Sequence, residues 1–486
     1  MPTIRVVATV ADTTHRALCA ARDEQARCAD LVELRLDALT EPVDVARALH
    51  GRTKPVIVTC RPKHLGGLFP GSEEERRNIL RAAIAGGAEF VDLEWHCGLD
   101  DVASVRGGRG IVLSMHEFGG VPADLEARMQ AMLALGTEVV KVAVAISRLG
   151  DCVRLAHAAA IAKERSVVVI GMGAAGIATR VLPRRFGSCW TYAGSSAPGQ
   201  ITAQAMLDTY RVREVHARTA VYGVAGHPVS HSLSPVMHNA WFAAAGVDAV
   251  YLPFDTVSGA DLLEFADWLP VAGLSVTAPL KQDMFERLTV RDGVSERAGA
   301  VNTVKRTSRG WAAINTDVEG FAAPLAARGL ELGACRAAIL GAGGAARAAA
   351  LALGDAGAKV SVHARRLDAA REVAALASGT AFDCWPAPGA WDLLVNATPA
   401  GWESDAALFG PACAGAVVYD LVSTPAVTPL LERAARFGCR TIAGLEMLVA
   451  QGEAQAEWWT GRRPDAGLMM SAAQAAVAGR GFSPAR

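Results

Sequence analysis

The chain has 486 residues, 51% of them hydrophobic and 20% charged, with a formal net charge of −1. At about 150 residues per domain, this length divides into two or three domains. The near-neutral balance argues against a nucleic-acid or anionic-membrane partner, and ten scattered cysteines without a Cys-x-x-Cys pair fit reduced thiols rather than a disulfide framework or zinc site.

The first strand-like run, TIRVVATV, opens at residue 3 and is expected to leave no room for a signal or transit segment. Apolar stretches such as FGSCWTYAGSSAPGQITAQAML are broken by Ser, Gly, Pro and Gln and do not read as membrane spans. The expected location is the cytoplasm. From residue 3 to about 200, β-branched runs alternate with helical stretches: TIRVVATV, LVELRLD, PVIVTC, EFVDLEW, GIVLSMHEF, EVVKVAV, VVVIGM and FGSCWTYA. Such alternation predicts a parallel (β/α)8 TIM barrel over residues 1–217, with reactive side chains near the C-terminal ends of its strands. Glu33, Arg35, Arg61, Glu94, His116, Arg180 and Gln200 fall at or near such ends. In VVKVAV, alternation turns Lys141, Ala143 and Ala145 into the barrel and Val140, Val142 and Val144 against the helices. A lone buried ammonium is costly and is ordinarily half of a structural ion pair, but this one shares its barrel with a set of polar strand ends.

A polar helix is expected over ITAQAMLDTYRVREVHART, and a new strand pattern begins at AVYGVAG, which places a boundary near residue 218. In YGVAGHPVSHSLSPVMHNAWF a strand gives way to a helix at Ser234-Pro235, a favoured cap and first-turn pair. The hydroxyls of Ser232 and Ser234, with the amides of that helix start, form a candidate carboxylate site. GLSVTAPLKQ, GAVNTV and NTDVEGF place Thr277, Lys281, Asn302 and Asp317 on loops. Next, AAILGAGGAARAAALALGDAGAKVSVHARR reads as strand, glycine turn, helix and strand, one Rossmann unit, with Gly341, Gly343 and Gly344 allowing a pyrophosphate to approach the helix start. Arg365 and Arg366 follow the second strand, where an NAD enzyme usually carries an acidic residue, so NADP is the expected cofactor. The second half is accordingly expected to divide into a substrate lobe, 218–320, and a nucleotide lobe, 321–486, whose C-terminal helices return to the substrate lobe.

With VELRLD, TCRP, SMHEF, VKVAV and SSAPGQ in order, the first half resembles type I 3-dehydroquinate dehydratases. The resemblance implies elimination of water from a cyclic 3-keto acid through an imine on Lys141, an amine kept neutral by desolvation. His116 is then the base for the adjacent carbon's proton and the acid for the departing hydroxyl. Arg180, Ser196 and Gln200 would hold the substrate carboxylate and hydroxyls, with Glu33, Arg35 and Arg61 as the remaining polar wall. The family commonly has a glutamate that supports the histidine where Leu65 stands in CRPKHLGG.

The serine turn, GLSVTAPLKQ, GAVNTV, NTDVEGF, GAGGAARA, NATPAGW and GLEMLVAQGEAQAEWWTG together make residues 220–480 similar to shikimate dehydrogenases. That resemblance implies substrate contacts from Ser232, Ser234, Thr277, Asn302, Asp317 and Gln451, and a catalytic pair in Lys281 and Asp317. It implies NADP contacts from Gly341, Ala342, Gly343, Gly344, Ala345, Arg365, Arg366, Asn396 and Thr398. Ala364 and Ser423 stand where the family often has Asn and Tyr. The two halves imply consecutive steps, 3-dehydroquinate to 3-dehydroshikimate and then NADPH-dependent reduction to shikimate, with no nucleic-acid or membrane partner. Homodimer formation is left open. One alternative is an active dehydrogenase carrying an impaired barrel as a binding or scaffolding module, on the ground of Leu65; another is a quinate-preferring dehydrogenase, decided by the Ser232 and Ser234 pocket.

Overall fold

The computed structural model describes residues 3–98, 102, 104, 107–195, 199–398 and 408–479. Its eight first strands are β1 (Arg5–Val10), β2 (Leu31–Arg35), β3 (Val56–Thr59), β4 (Phe90–Glu94), β5 (Ile111–Glu117), β6 (Val139–Ala145), β7 (Ser166–Met172) and β8 (Trp190–Ala193). They form one parallel sheet in the order β7-β6-β5-β4-β3-β2-β1-β8, and the bridge Val167–Ser188 brings its two edges together into a nearly closed barrel. The period of two sorts the side chains as expected: Val7, Leu31, Val112, Val139, Ala143 and Trp190 fill the interior, while Val32, Leu34, Val56 and Val58 pack outward under the helices. Lys141 keeps the inward phase of Val139 and Ala143, opposite Ser114 on β5 and Val168 on β7. The polar helix expected to follow is shorter than its sequence suggests. It covers only Ala203–Asp208, and the chain then turns through Arg211 at φ 48°, a left-handed conformation that no helix continues.

A second sheet comprises β9 (Ala220–Gly226), β10 (Ala249–Asp255), β11 (Val271–Val276), β12 (Val290–Arg291), β13 (Thr303–Thr307) and β14 (Gly310–Ile314), in the order β10-β9-β11-β13-β14-β12. The third comprises β15 (Arg336–Leu340), β16 (Lys359–His363), β17 (Thr380–Phe382), β18 (Leu393–Asn396), β19 (Val417–Asp420) and β20 (Arg440–Ala443). Its order, β17-β16-β15-β18-β19-β20, is the doubly wound arrangement in which the chain reverses direction beside the first strand, β15. The glycine turn follows that strand.

The chain forms two compact units. One is made of the chain up to Ala220 with Leu252–Thr256 and Ala260–Pro270; the other is made of Val221–Tyr251, Val257–Gly259 and the chain from Val271 onward. Within the second unit the helix Asp317–Ala326 runs through the 320/321 position and packs on the helix Gly444–Thr460, so closely that a Cβ on Gly320 would lie 2.6 Å from Cβ of Gln451. The latter helix reaches back to the second sheet, where Trp459 donates to the carbonyl of Val304 at 3.0 Å.

Candidate active sites

In the barrel, Lys141 is 3% exposed and its Nζ donates to Asp92 at 3.0 Å and Glu33 at 3.3 Å. The two acceptors are themselves fixed, Glu33 by the hydroxyls of Thr9 at 2.7 Å and Thr59 at 2.9 Å, and Asp92 by Ser114 at 2.6 Å. This overturns the expectation of a desolvated neutral amine. Burial pulls the Lys141 pKa down, but Asp92 and Glu33 together raise it further, and it stands above the ordinary lysine value. Lys141 is an ammonium held between carboxylates. Burial likewise pushes Glu33 up, yet Lys141, Arg35 and Arg61 hold it well below the usual carboxylate range.

His116 sits near the end of β5, with Nδ1 3.0 Å from Glu94, and the same carboxylate accepts from Nε of Arg61 at 2.6 Å. Burial and Arg61 push the imidazole below its ordinary pKa against the pull of Glu94, which favours the neutral ring. With Nδ1 donating to Glu94, Nε2 carries the lone pair that can take a proton. Leu65 occupies a single 3-10 turn, Lys63–Leu65, and the carboxylate beside the histidine comes from β4 instead. Arg35 is committed to Asp37, at 2.9 and 2.7 Å. Arg180 is buried; Nη1 donates to the carbonyl of Tyr192 at 3.2 Å, Nε has no hydrogen-bond partner among the described residues, and burial lowers its pKa to about 10. Glu33, Arg61, His116, Lys141, Arg180 and Gln200 line one cavity of about 560 Å3. Ser196 lies outside the described residues.

Two barrel residues escaped the sequence reading in their roles. Asp92, in contact with Lys141, is not among the expected site residues, and Glu94 is expected only as a polar strand end. The signal was present in EFVDLEW, because Asp92 and Glu94 share the inward phase of Phe90.

In the second unit, Lys281 and Asp317 meet at 2.5 Å. Asn302 donates its amide to the other carboxylate oxygen of Asp317 at 2.8 Å and to Thr316 at 3.0 Å, and lies 3.4 Å from Oε1 of Gln451. The loops expected for the catalytic pair are helix starts. Lys281 lies in the first turn of Leu280–Arg287, and Asp317 is the first residue of Asp317–Ala326, where a negative charge suits the exposed amides. The serine turn also differs: Leu233 occupies the cap of Ser234–Ala244, and Ser232 Oγ accepts the Ser234 amide at 3.2 Å. Thr277 follows directly on β11.

Beside this pair lies a cavity of about 670 Å3 lined by Lys281, Ala342, Gly343, Gly344, Arg347 and Arg366. Gly341 has φ 108°, and a Cβ there would press on the Ala397 carbonyl at 3.0 Å. Gly343 caps the twelve-residue helix Gly344–Asp355, and a Cβ on Gly344 would stand 3.4 Å from Cδ of Lys281. A glycine cradle at a helix start, flanked by Arg347 and Arg366, fits a phosphorylated dinucleotide. Arg365 is exposed on the same turn as Arg366. Ala345 lies in the first turn of Gly344–Asp355. Asn396 is fully buried and its amide is occupied by Asp420 at 2.8 Å and by the Thr398 hydroxyl at 2.7 Å, so it shapes the turn through Thr398. Arg347, fixed through Nε to the Ala298 carbonyl at 2.7 Å, was missed because a helix arginine in an alanine-rich run carries no sequence signal.

Comparison with known proteins matches residues 6–217 to the type I 3-dehydroquinase family, 224–304 to the shikimate dehydrogenase substrate binding domain and 444–474 to the shikimate 5'-dehydrogenase C-terminal domain. The chain is 31% identical over 472 residues to the chloroplastic bifunctional 3-dehydroquinate dehydratase/shikimate dehydrogenase of Arabidopsis thaliana, covering 89% of this chain and 78% of that one. It is 40% identical over 296 residues to the NADP(+) shikimate dehydrogenase of Moorella thermoacetica, covering 56% of this chain and 98% of the relative. Among solved structures, the dehydroquinate dehydratase and shikimate dehydrogenase portion of S. pombe AroM is 21% identical, with a TM-score of 0.45, covering 97% of this chain and 98% of that one.

Proposed function

The chain belongs to the bifunctional 3-dehydroquinate dehydratase/shikimate dehydrogenase family, and from that premise we propose how its own residues carry the two reactions. It dehydrates 3-dehydroquinate to 3-dehydroshikimate in its first half and reduces that product to shikimate with NADPH in its second. One observation carries the assignment of residues: each half contains a lysine held by a carboxylate at the wall of a cavity, Lys141 by Asp92 and Lys281 by Asp317.

In the dehydratase, Lys141 gives up a proton before attack, with Asp92 at 3.0 Å as the nearest acceptor, and the freed amine attacks the substrate ketone. Water leaves as the C=N bond forms. The iminium withdraws electrons from the neighbouring carbon, Nε2 of His116 removes that carbon's proton, and the same imidazolium returns the proton to the hydroxyl that leaves as water. Hydrolysis then frees the product and restores the lysine. Glu94 holds the histidine through Nδ1, which supports an active barrel with Leu65 in the loop. Arg180, whose Nε has no partner among the described residues, is the proposed carboxylate anchor. Ser196 and Gln200 are proposed to complete that subsite, with Arg61 and Arg35 as its wall.

In the dehydrogenase, bound NADPH supplies the hydride. Lys281 delivers a proton to the carbonyl oxygen of the substrate, and Asp317 orients the lysine while Asn302 fixes the carboxylate. Ser232, Ser234, Thr277 and Gln451 are the proposed substrate contacts. Gly341 to Ala345 and Thr398 would form the dinucleotide turn, with Arg365 and Arg366 at the 2'-phosphate. No helix among the described residues is long and apolar enough to cross a membrane, and the ten cysteines are free, which supports a reducing compartment; the cytoplasm is the proposed location.

A coupled assay tests the assignment. With 3-dehydroquinate and NADPH the chain should consume NADPH, Lys141→Ala should do so only when supplied with 3-dehydroshikimate, and Lys281→Ala should accumulate that intermediate. A Lys141→Ala chain that still dehydrates would overturn the imine assignment.

A further inference from the structure

Nζ of Lys141 has a third neighbour besides its two carboxylates. The Tyr192 ring, on β8, lies with its centroid 4.4 Å from Nζ and lines the same cavity. Tyr192 is 4% exposed, and its hydroxyl makes no hydrogen bond of ordinary geometry among the described residues. The ring face is therefore what this side chain offers the lysine. An aromatic face attracts a cation within about 6 Å without accepting its proton.

The three neighbours respond differently when the amine becomes an imine. The ammonium has three N–H donors and uses them on Asp92 and Glu33. Condensation with the ketone releases water and leaves an iminium nitrogen with one N–H, so one of the two carboxylates must lose its direct hydrogen bond. Either carboxylate can also accept the remaining proton, which would leave a neutral imine and a poorer electron sink. The ring contact needs no N–H and offers no basic atom.

We propose that the Tyr192 ring holds the positive charge at Nζ of Lys141 through both the ammonium and the iminium states, keeping the imine in its protonated, electron-withdrawing form. This rests on the imine mechanism given above. The backbone carbonyl of the same residue accepts from Arg180, so β8 places the aromatic face and the anchor from one position.

The full chain carries its own control, because the dehydrogenase is assayed on the same sample. Tyr192→Phe keeps the ring and should retain the wild-type dehydratase kcat within about twofold. Tyr192→Leu should lose about tenfold in kcat. With 3-dehydroquinate and borohydride, its mass adduct on the Lys141 peptide should fall off at lower pH than in wild type, because the unsupported iminium loses its proton sooner. Dehydrogenase activity should be unchanged in both variants. Tyr192→Met repeats the test with a flexible side chain if the leucine variant unfolds. Leucine and methionine variants that match wild type in kcat and in the pH dependence of trapping would overturn the role of the ring. So would a phenylalanine variant as impaired as leucine, which would assign the effect to the hydroxyl. Absence of any adduct in the wild-type chain would instead remove the imine mechanism, and this inference with it.

Discussion

Lys141 shows how far a single buried residue can be read without its neighbours. VVKVAV correctly points the side chain into the barrel, but the charge on Nζ depends on Asp92 and Glu33, which come from strands far away in sequence. Lys141→Met should abolish dehydration and also remove the cation that joins Asp92 to Glu33, destabilising the barrel by about 3–5 kcal/mol near neutral pH. The sign of its pH dependence follows from those carboxylates. In wild type Glu33 is held below its ordinary pKa, so its contribution is present at neutral pH and is lost as pH falls through the depressed value. Without the lysine only Arg35 and Arg61 oppose burial at Glu33, so its folded-state pKa rises from the wild-type value and the stability it contributes at neutral pH shrinks. Thermal denaturation should therefore show a deficit that is full near neutral pH and narrows as pH falls through the raised value. Glu94→Gln, in turn, should lower dehydratase kcat by about tenfold or more while leaving the borohydride adduct on Lys141 intact, since it disturbs His116 rather than the nucleophile. Loss of the adduct in that variant would show that Glu94 acts on imine formation instead.

At the scale of elements, the glycine turn was legible because strand, turn and helix each carry their own pattern. The helices bearing Lys281 and Asp317 were not. Leu280–Arg287 follows Pro279, which carries no capping group, and Asp317–Ala326 follows Thr316, a usual cap type that makes no cap bond here, the Asp317 amide going to Asn315 at 3.0 Å instead. Nor could sequence show that Asp317–Ala326 crosses Gly444–Thr460 at Gly320. A Cβ at Gly320 would stand 2.6 Å from Cβ of Gln451 and 2.9 Å from its amide nitrogen, both parts of a rigid helix. Gly320→Ala should destabilise the second unit by about 1–3 kcal/mol and displace both Gln451 and Asp317. The expected readout is a lower Tm with reduced dehydrogenase kcat/KM and unchanged dehydratase activity; retention of full reductase activity would show that the helices separate without disturbing the site.

At the scale of the molecule, the groups proposed for each reaction all lie in one compact unit. The two activities should therefore be separable by ligand as well as by mutation. NADPH at about 100 times its Kd should stabilise the second unit by about 2.7 kcal/mol. Calorimetry should show the transition carrying dehydrogenase activity rising, while dehydratase is lost at an unchanged temperature. A common upward shift of both would show that the units unfold together. The restart at AVYGVAG gives no hint that Leu252–Thr256 and Ala260–Pro270 belong to the first unit, because only long-range contacts define it.

The set of charges around Lys141 carries one more consequence. Lys141, Arg35, Arg61 and Arg180 are matched one for one by Glu33, Asp37, Asp92 and Glu94, although Lys141 engages two carboxylates and Arg180 is paired with none among the described residues. The pocket thus carries as many formal positive as negative charges, unevenly placed, and a substrate carboxylate at the proposed Arg180 anchor would leave the whole pocket one charge negative. That surplus favours a proton staying on the imine nitrogen. Docking the carboxylate and arming the electron sink become a single electrostatic event, and a substrate analogue stripped of its carboxylate forfeits both.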